Sequence, residues 1–149
     1  MAGKDKQSGV KGVRAVIMLP GIYDETLALL ATAHDHFFRH SEEEQREMNN
    51  RERTMYASEM SRITIRLSCV MAWLMARKAV FMGKLSLEEA NERYRLDCRD
   101  ICMNQHIEAE SMLPETMNEL LDQSFELYQR VARLDALGVR NAEPKSDNI

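Results

Sequence analysis

The sequence contains few of the residues that interrupt helices. In 149 residues there are three prolines and six glycines, of which Pro20 and Gly21 stand side by side. No segment alternates apolar and polar residues as a half-buried strand does, and no internal repeat stands out. Long segments without helix breakers and without alternation predict an all-α domain.

An excess of positive charge is also absent. The chain carries 20 Lys and Arg against 24 Asp and Glu, for a formal net charge of -4. Such a protein has no strong positive field to attract nucleic acid or an anionic membrane surface. The most apolar stretch, residues 67–82, contains Arg77 and Lys78 and is shorter than a bilayer span. We therefore expect a cytoplasmic protein that binds neither nucleic acid nor membrane.

Cysteines are few and odd in number. Cys69, Cys98 and Cys102 cannot all pair within one chain. The apolar residues 15–19 are too few for the core of a secretion signal, and Pro20 follows them directly. We therefore expect these cysteines to be the reduced thiols of an intracellular protein.

A metal site deserves consideration at Cys98, Cys102 and His106, which are spaced by four residues. A helix would place these two thiols and the imidazole along one side, and all three groups are zinc ligands. A straight helical row cannot surround one ion, however, because structural zinc sites gather ligands from separate elements. Ordinary core or interface thiols are the preferred interpretation, with no cofactor, and a metal- or thiol-dependent helical bundle is the alternative.

The most informative segment covers residues 66–96. Between Arg66 and Arg77 the only polar residue is Ser68, so a helix there needs neighbours on more than one side. Its main apolar face consists of Tyr56, Met60, Ile63, Leu67, Val70 and Leu74, and a second face of Cys69, Trp73, Val80 and Phe81. This pattern predicts the central helix of a bundle, with more apolar surface than one three-helix core covers, which favours a homodimer.

The remaining boundaries give a three-helix bundle with one short additional helix. Residues 1–12 form a flexible arm, residues 13–138 one helical domain and residues 139–149 a disordered tail. The first helix follows Gly21 and runs to about His40, and its apolar face consists of Tyr23, Leu27, Leu30, His34 and Phe37. The polar residues 41–53 form a connection, because Asn49 and Asn50 weaken a helix.

Three further signals mark helix ends. The central helix begins near Met55 and stops at Gly83, which adopts the left-handed conformation at little cost. Ser86 and Glu89 form a capping box that starts the short helix. The last helix begins at Pro114 and ends at Gly138, while residues 97–111 fit either a helix or a loop.

Arginines and tyrosines that break the apolar pattern are the candidate interaction residues. These residue types are typical of protein interfaces, although helix-end charges and surface salt bridges explain them equally well. The positions are Arg62, Arg66, Arg93, Tyr94, Arg95, Tyr128, Arg130 and Arg133. The sequence has no glycine-rich phosphate loop, nucleophile elbow or HExxH motif, so we expect no catalytic residues and no enzyme.

Several blocks resemble a known family. These are YDETLALL at 23–30, RITIRLSCVMAWLMARKAVFMGKLSLEEA at 62–90, RYRL at 93–96 and LPETMNELLDQSFELYQRVARLD at 113–135. Together they resemble the regulator of CtrA degradation (RcdA) family of alphaproteobacteria, which is DUF1465-like. The similarity covers residues 20–137.

The resemblance implies a three-helix bundle, often dimeric, that acts as an adaptor for the ClpXP protease in the cell cycle. Its implied partners are the protease, a response-regulator-like priming factor, a cyclic-di-GMP-binding partner and client proteins, often at a cell pole. The matching positions include Arg62, Arg66, Arg93, Tyr94, Tyr128, Arg130 and Arg133, and Trp73, which we expect in the core. A purely structural homodimer is a third interpretation.

Overall fold

The fold was analysed in a computed structural model, which describes residues 5–105 and 107–142 and, within them, the side chains of residues 19–105 and 109–139. Seven helices occupy these ranges: α1 (Asp5–Arg39), α2 (Ser41–Gln45), α3 (Asn50–Phe81), α4 (Leu87–Arg93), α5 (Arg99–Cys102), α6 (Ile107–Glu110) and α7 (Glu115–Ala142). No strand occurs among them. The all-α expectation is confirmed, with three long helices as predicted and four short ones instead of one.

The core lies where the three long helices meet. Helices α1, α3 and α7 all pack against one another, and α3 also contacts α4 and α5. The main face predicted for the central helix is confirmed, since Tyr56, Ile63 and Leu67 are fully buried. Trp73 is also in the core, as expected. Each fully buried large side chain contributes about 1.5–3 kcal/mol through the removal of apolar surface from water.

Both ends of α3 are defined by local hydrogen bonds. At the start, the Asn49 side chain accepts from the Glu52 amide (2.9 Å), and the Glu52 carboxylate accepts from the Asn49 amide (3.0 Å). At the end, Gly83 has a φ of 72°, and the amide of Lys84 donates to Ala79 (2.9 Å). The stop at Gly83 is confirmed. The predicted start near Met55 is wrong, because Asn49 acts as an N-cap and does not weaken the helix.

The short helix α4 begins at the predicted residue, but only the serine half of the predicted capping box forms. Ser86 is its N-cap, and the Ser86 hydroxyl accepts from the Glu89 amide at 3.1 Å. The carboxylate of Glu89 lies 3.6 Å from Arg93 one turn later. In residues 97–111, for which the sequence fits either a helix or a loop, the described part consists of the short helices α5 and α6 and of irregular residues.

Two predicted helix ends differ in the structure. Helix α1 begins at Asp5 and contains Pro20, so residues 5–12 of the expected arm are helical. Helix α7 passes through Gly138 to Ala142, while residues 1–4 and 143–149 lie outside the described residues. A single proline removes one backbone hydrogen bond, and a glycine within a helix costs about 1 kcal/mol, so one such residue does not end a long helix.

The buried face of α1 is rotated by one residue from the predicted face. The buried positions are Ile22, Thr26, Leu29, Ala33 and His36, whereas Leu27 and His34 are exposed. The Thr26 hydroxyl donates to the carbonyl oxygen of Ile22 (2.7 Å), and the His36 ring lies 2.8 Å from Glu44. The prediction is wrong for Leu27 and His34, whereas Tyr23, Leu30 and Phe37 are partly buried against the core. It overlooked the polar residues of this face, whose polar partners permit burial.

Every helix in the described ranges is too short or too polar to span a bilayer.

Substitutions of two glycines by alanine test these helix ends. We expect Gly83→Ala to destabilise the protein by about 1 kcal/mol, because an L-residue is strained at positive φ. Gly138→Ala adds a methyl group where no atom lies within 4 Å, so we expect stabilisation by about 0.5–1 kcal/mol. Urea unfolding followed by circular dichroism measures both changes. A loss of stability in Gly138→Ala contradicts a helix that continues through this position.

Candidate functional site

The predicted interaction residues fall into an interior group and a surface group. Arg62, Arg66 and Tyr128 are buried, with exposed fractions of 7%, 1% and 0%. Arg130 is partly exposed and pairs with Glu25 of α1. The surface group consists of Arg93, Tyr94, Arg95 and Arg133. The interior residues bind their own chain, whereas the surface group is exposed to solvent, with Arg93 and Arg95 also paired to Glu89 and Asp135.

Arg66 joins α3 to the segment around α5 and to α7. Its guanidinium lies 5.0 Å from the ring centroid of Phe125. It donates to the carbonyl oxygens of Cys102 (2.9 Å), Asn104 (3.1 Å) and Leu121 (3.1 Å) and to the hydroxyl of Ser124 (3.2 Å). Burial is the main cause that lowers the pKa of Arg66 to about 10. The side chain is therefore still charged at neutral pH, and its charge is held by carbonyl dipoles.

Arg62 and Tyr128 also bind the irregular segments around α5. Arg62 donates to the carbonyl oxygens of Ile101 (3.0 Å) and Asn104 (2.7 Å), and its Nε lies 3.1 Å from a carboxylate oxygen of the buried Glu59. The hydroxyl of Tyr128 donates to the carbonyl oxygen of Asp97 at 2.6 Å. The irregular segments around α5 thus have carbonyl groups that accept hydrogen bonds from side chains of α3 and α7.

A second buried polar cluster centres on Asp135 of α7. One of its carboxylate oxygens accepts from the Trp73 indole (2.9 Å) and lies 3.4 Å from Arg77, and the other accepts from Arg95 (2.9 Å). Arg77 also donates to the Asn91 side chain in α4 (2.8 Å). Sequence reasoning missed Asp135. The available signal was an acidic residue four positions after Val131 and seven after Tyr128, which places it on the same side of a helix.

The end of α3 and the following helix α4 expose apolar side chains. Phe81 and Met82 are 75% and 54% exposed, and Leu87 and Tyr94 are 47% exposed. The expectation that Phe81 belongs to a buried face is wrong within one protomer. We call these four residues, with Arg93, the apolar end. Clusters of aromatic, methionine and arginine side chains are characteristic of protein-binding surfaces.

A groove between α1 and α3 opens beside the apolar end. It has a volume of about 340 Å³, and its lining includes Leu19, Pro20, Tyr23, Leu74 and Phe81. Lys78 lies at its side, with its ammonium group 5.7 Å from the ring centroid of Tyr23. The groove is therefore lined mainly by apolar side chains, and Asp24, Arg77 and Lys78 add charges of both signs.

The outer face of α3 carries no charge over most of its length. From residue 54 to residue 77 the charged side chains are Glu59, Arg62, Arg66 and Arg77, and all four are buried. The exposed positions in this range are Thr54, Ala57, Ser58, Ser61, Thr64, Ser68, Ala72 and Met75. This neutral face, as we call it, reverses the usual arrangement of a surface helix, in which charged residues point to solvent.

The three cysteines lie on α3 and around α5. All are free; Cys69 and Cys98 are partly buried and pack against the core, and Cys102 at the end of α5 is fully buried. Burial, followed by the neighbouring Cys98 thiol, raises the pKa of Cys69 to about 12. Sequence reasoning grouped Cys98 and Cys102 with His106 but missed Cys69, which is distant along the chain. His106 lies outside the described residues, and the described part of the chain contains no group of three or more metal-ligating side chains able to hold an ion.

These features define an all-α bundle with buried arginine and aspartate clusters and with apolar and neutral surfaces. The chain belongs to the family described as protein of unknown function (DUF1465), whose model matches residues 13–148. No curated protein and no solved structure matches the chain.

Matched substitutions separate the interior from the surface arginines. We expect Arg66→Met to destabilise the protein by about 3 kcal/mol, because three carbonyl groups and a hydroxyl lose their donor inside the protein. Arg93 is 70% exposed on its side chain, so we expect Arg93→Met to change stability by less than about 0.5 kcal/mol. Urea unfolding compares the two variants. Equal effects would refute the division into interior and surface groups.

Proposed function

We propose that this protein is a non-catalytic adaptor that helps deliver cell-cycle regulatory proteins to the ClpXP protease through protein-protein contacts. The observation that carries the proposal is the apolar end, where Phe81 is 75% exposed and where Met82, Leu87 and Tyr94, close to it in the sequence, are exposed as well. The resemblance of residues 20–137 to the regulator of CtrA degradation family supplies the identity of the protease.

The chemistry of the apolar end fits the recognition of a polypeptide. An apolar side chain of a partner fits the groove beside Phe81, whose volume of about 340 Å³ exceeds that of a single side chain. Tyr94 and Arg93 offer a hydroxyl and a guanidinium to the polar groups of the same segment. Burial of aromatic anchors at the centre, with polar groups around them, is the arrangement that gives protein interfaces most of their binding energy.

An adaptor needs no reactive group, because it acts through proximity. Contacts of modest affinity to a client and to the protease raise the client's effective concentration at the protease. In this proposal the protein works in the cytoplasm, concentrates at a cell pole, and has as further partners a response-regulator-like priming factor and a cyclic-di-GMP-binding protein. The surface group Arg93, Tyr94, Arg95 and Arg133 supplies the polar contacts.

The neutral face of α3 supports a homodimer as part of this proposal. Small uncharged side chains such as Ser61, Ser68 and Ala72 permit two helices to approach closely and leave no charge to be desolvated. A twofold axis beside α3 would bring the same face of a second chain against it. The apolar end stays accessible in that arrangement, since it lies beyond the neutral face at the C-terminal end of α3.

The mass in solution tests the homodimer. We expect sedimentation equilibrium to give twice the chain mass for the wild type and the single chain mass for Ala72→Glu, which places a charge in the neutral face. Ala31→Glu is the matched control, because Ala31 is an exposed alanine on α1. A monomeric wild type, or a dimeric Ala72→Glu, would remove the basis of the homodimer.

Two exposed phenylalanines provide a matched test of the adaptor. Phe81 is 75% exposed in the apolar end, and Phe38 is 83% exposed at the C-terminal end of α1. We expect Phe81→Ser to reduce co-purification of the ClpXP subunits and of client proteins at least fivefold, as quantified by mass spectrometry of tagged protein from its own cells. Phe38→Ser should leave recovery unchanged, and both variants should unfold like the wild type.

Degradation of the recovered client completes the test. The purified wild type and Phe38→Ser should accelerate its degradation by ClpXP and the priming factor, and Phe81→Ser should not. Failure to recover any protease subunit or regulatory protein with the wild type would overturn the proposal. Equal activity of the two variants would exclude the apolar end as the docking surface.

A further inference from the structure

Glu59 is a buried charged group that the proposed adaptor role does not use. Its side chain is 2% exposed, and one carboxylate oxygen, Oε2, lies 3.1 Å from Nε of Arg62. The other oxygen, Oε1, is fully buried and has no hydrogen-bond donor among the described residues. A buried carboxylate oxygen without a donor is costly, because nothing replaces its lost hydration. Glu59 therefore retains an acceptor for a group from outside the chain.

A small cavity leads from the surface to Glu59, and we call it the Glu59 cavity. Its volume is about 80 Å³, and it lies between α3, α7 and the residues around α6. The polar residues of its lining are Glu59, Arg66, Gln105, Glu110, Asn118 and Asp122. Glu59 and Arg66 are buried, whereas Gln105, Glu110 and Asp122 are exposed, so the cavity is open to solvent at its rim.

Hydrogen bonds within the chain hold the walls of the Glu59 cavity. The guanidinium of Arg66 donates to backbone carbonyl oxygens and to Ser124, and these bonds direct its donors away from Glu59. The Asn118 side chain donates to the carbonyl oxygen of Glu110 (2.8 Å), which joins the end of α6 to α7. Because the walls are already fixed, a ligand loses little free energy to their ordering.

The charges around the Glu59 cavity favour a cation. Glu59, Glu110 and Asp122 contribute three carboxylates to the lining, against the single guanidinium of Arg66. Arg62, which pairs with Glu59, raises the positive charges to two, and the balance remains negative. In the described part of the chain no three acidic side chains converge closely enough to hold a metal ion. Separated acceptors suit the planar guanidinium, with its five donors, better than a compact ammonium group.

The size of the Glu59 cavity limits the occupant to the end of a side chain. Pockets for whole organic ligands measure about 300 Å³ or more. The 80 Å³ of this cavity is only a few times the share of one water molecule in the liquid, about 30 Å³. A guanidinium group can therefore enter the cavity, while the chain that carries it stays at the surface.

We propose that the Glu59 cavity binds the guanidinium group of an arginine side chain from a partner polypeptide. In the complex, Oε1 of Glu59 accepts a hydrogen bond from the guanidinium, and the carboxylates of Glu110 and Asp122 balance its charge at the rim. The proposal does not depend on the adaptor role, because it is tested on the isolated protein with defined peptides.

A nuclear magnetic resonance titration of the isotope-labelled protein with the capped tripeptide Gly-Arg-Gly tests the site. We expect saturable shifts of the amide signals of Asn118, Leu121 and Asp122, with a dissociation constant on the order of 1 mM. The same tripeptide with citrulline, which has the shape of arginine without its charge, should bind at least about tenfold more weakly. The lysine tripeptide should also bind more weakly, because its charge is a single point.

Other occupants are distinguished in the same titration. Methylguanidinium, a free cation, should bind no more tightly than the arginine tripeptide. Tighter binding of methylguanidinium would assign the cavity to a small free cation and overturn the proposal. Equal or tighter binding of the citrulline or lysine tripeptide, or the absence of shifts at the lining residues, would overturn it as well.

Matched variants locate the binding groups. Asp122→Asn removes a charge from the rim and should weaken binding of the arginine tripeptide at least about threefold. Asp35→Asn removes the same charge from an exposed position on α1 and should leave the affinity unchanged. Glu59→Gln keeps the shape of the side chain and should abolish measurable binding.

The two aspartate variants keep the test decisive if Glu59→Gln does not fold. An equal loss of affinity in Asp122→Asn and Asp35→Asn would show only a general attraction between a basic peptide and an acidic protein. That result would overturn the proposal. A loss confined to Asp122→Asn would support it.

Discussion

The burial of charged side chains from α3 is the constraint on which the rest of the structure depends. A guanidinium inside a protein must keep its donors occupied, because an unpaired buried charge costs several kcal/mol. Arg66 meets this requirement mainly with backbone carbonyl groups, and Arg62 combines carbonyl groups with Glu59. The arginines therefore need these segments for their hydrogen-bond acceptors, and the segments need the arginines for their donors. This mutual dependence fixes the irregular residues around α5 against the long helices.

The inward direction of these charges also determines the surface. Between residues 54 and 77 the arginines and the glutamate of α3 point inward. Its outer face therefore consists of uncharged and mostly small residues, such as Ser61, Ser68 and Ala72. An uncharged face binds water less strongly than a charged helix face. Its removal from water therefore costs less free energy. The proposed contact with a second chain thus depends on the same inward direction of the charged side chains that builds the interior.

The sequence predicted those features that depend on local pattern. The buried face of α3, the stop at Gly83 and the cap at Ser86 each follow from residues close together in the chain. The sequence did not predict the burial of polar groups whose hydrogen-bond partners are distant along the chain. Arg62 and Arg66 were interpreted as contact residues but are buried. Their carbonyl acceptors lie 36 or more positions away in the sequence, as Cys102 does for Arg66, so no local pattern indicated them. Likewise, spacing along one segment grouped Cys98 with Cys102 and His106 and left out Cys69, which packs against the same core from α3.

The Asp135 cluster bears on the proposed recognition of a partner, because it ties the segment before and after Tyr94 to the bundle. Asp135 holds Arg95 at 2.9 Å, and Arg77 holds Asn91 at 2.8 Å, so both ends of the segment that presents Arg93 and Tyr94 are tied to the bundle. A side chain whose backbone is already fixed loses less freedom when it binds, which leaves more of the contact energy for affinity. Under the proposed function, interior charges thus contribute to the exposed end, because the cluster orders the backbone that carries Arg93 and Tyr94.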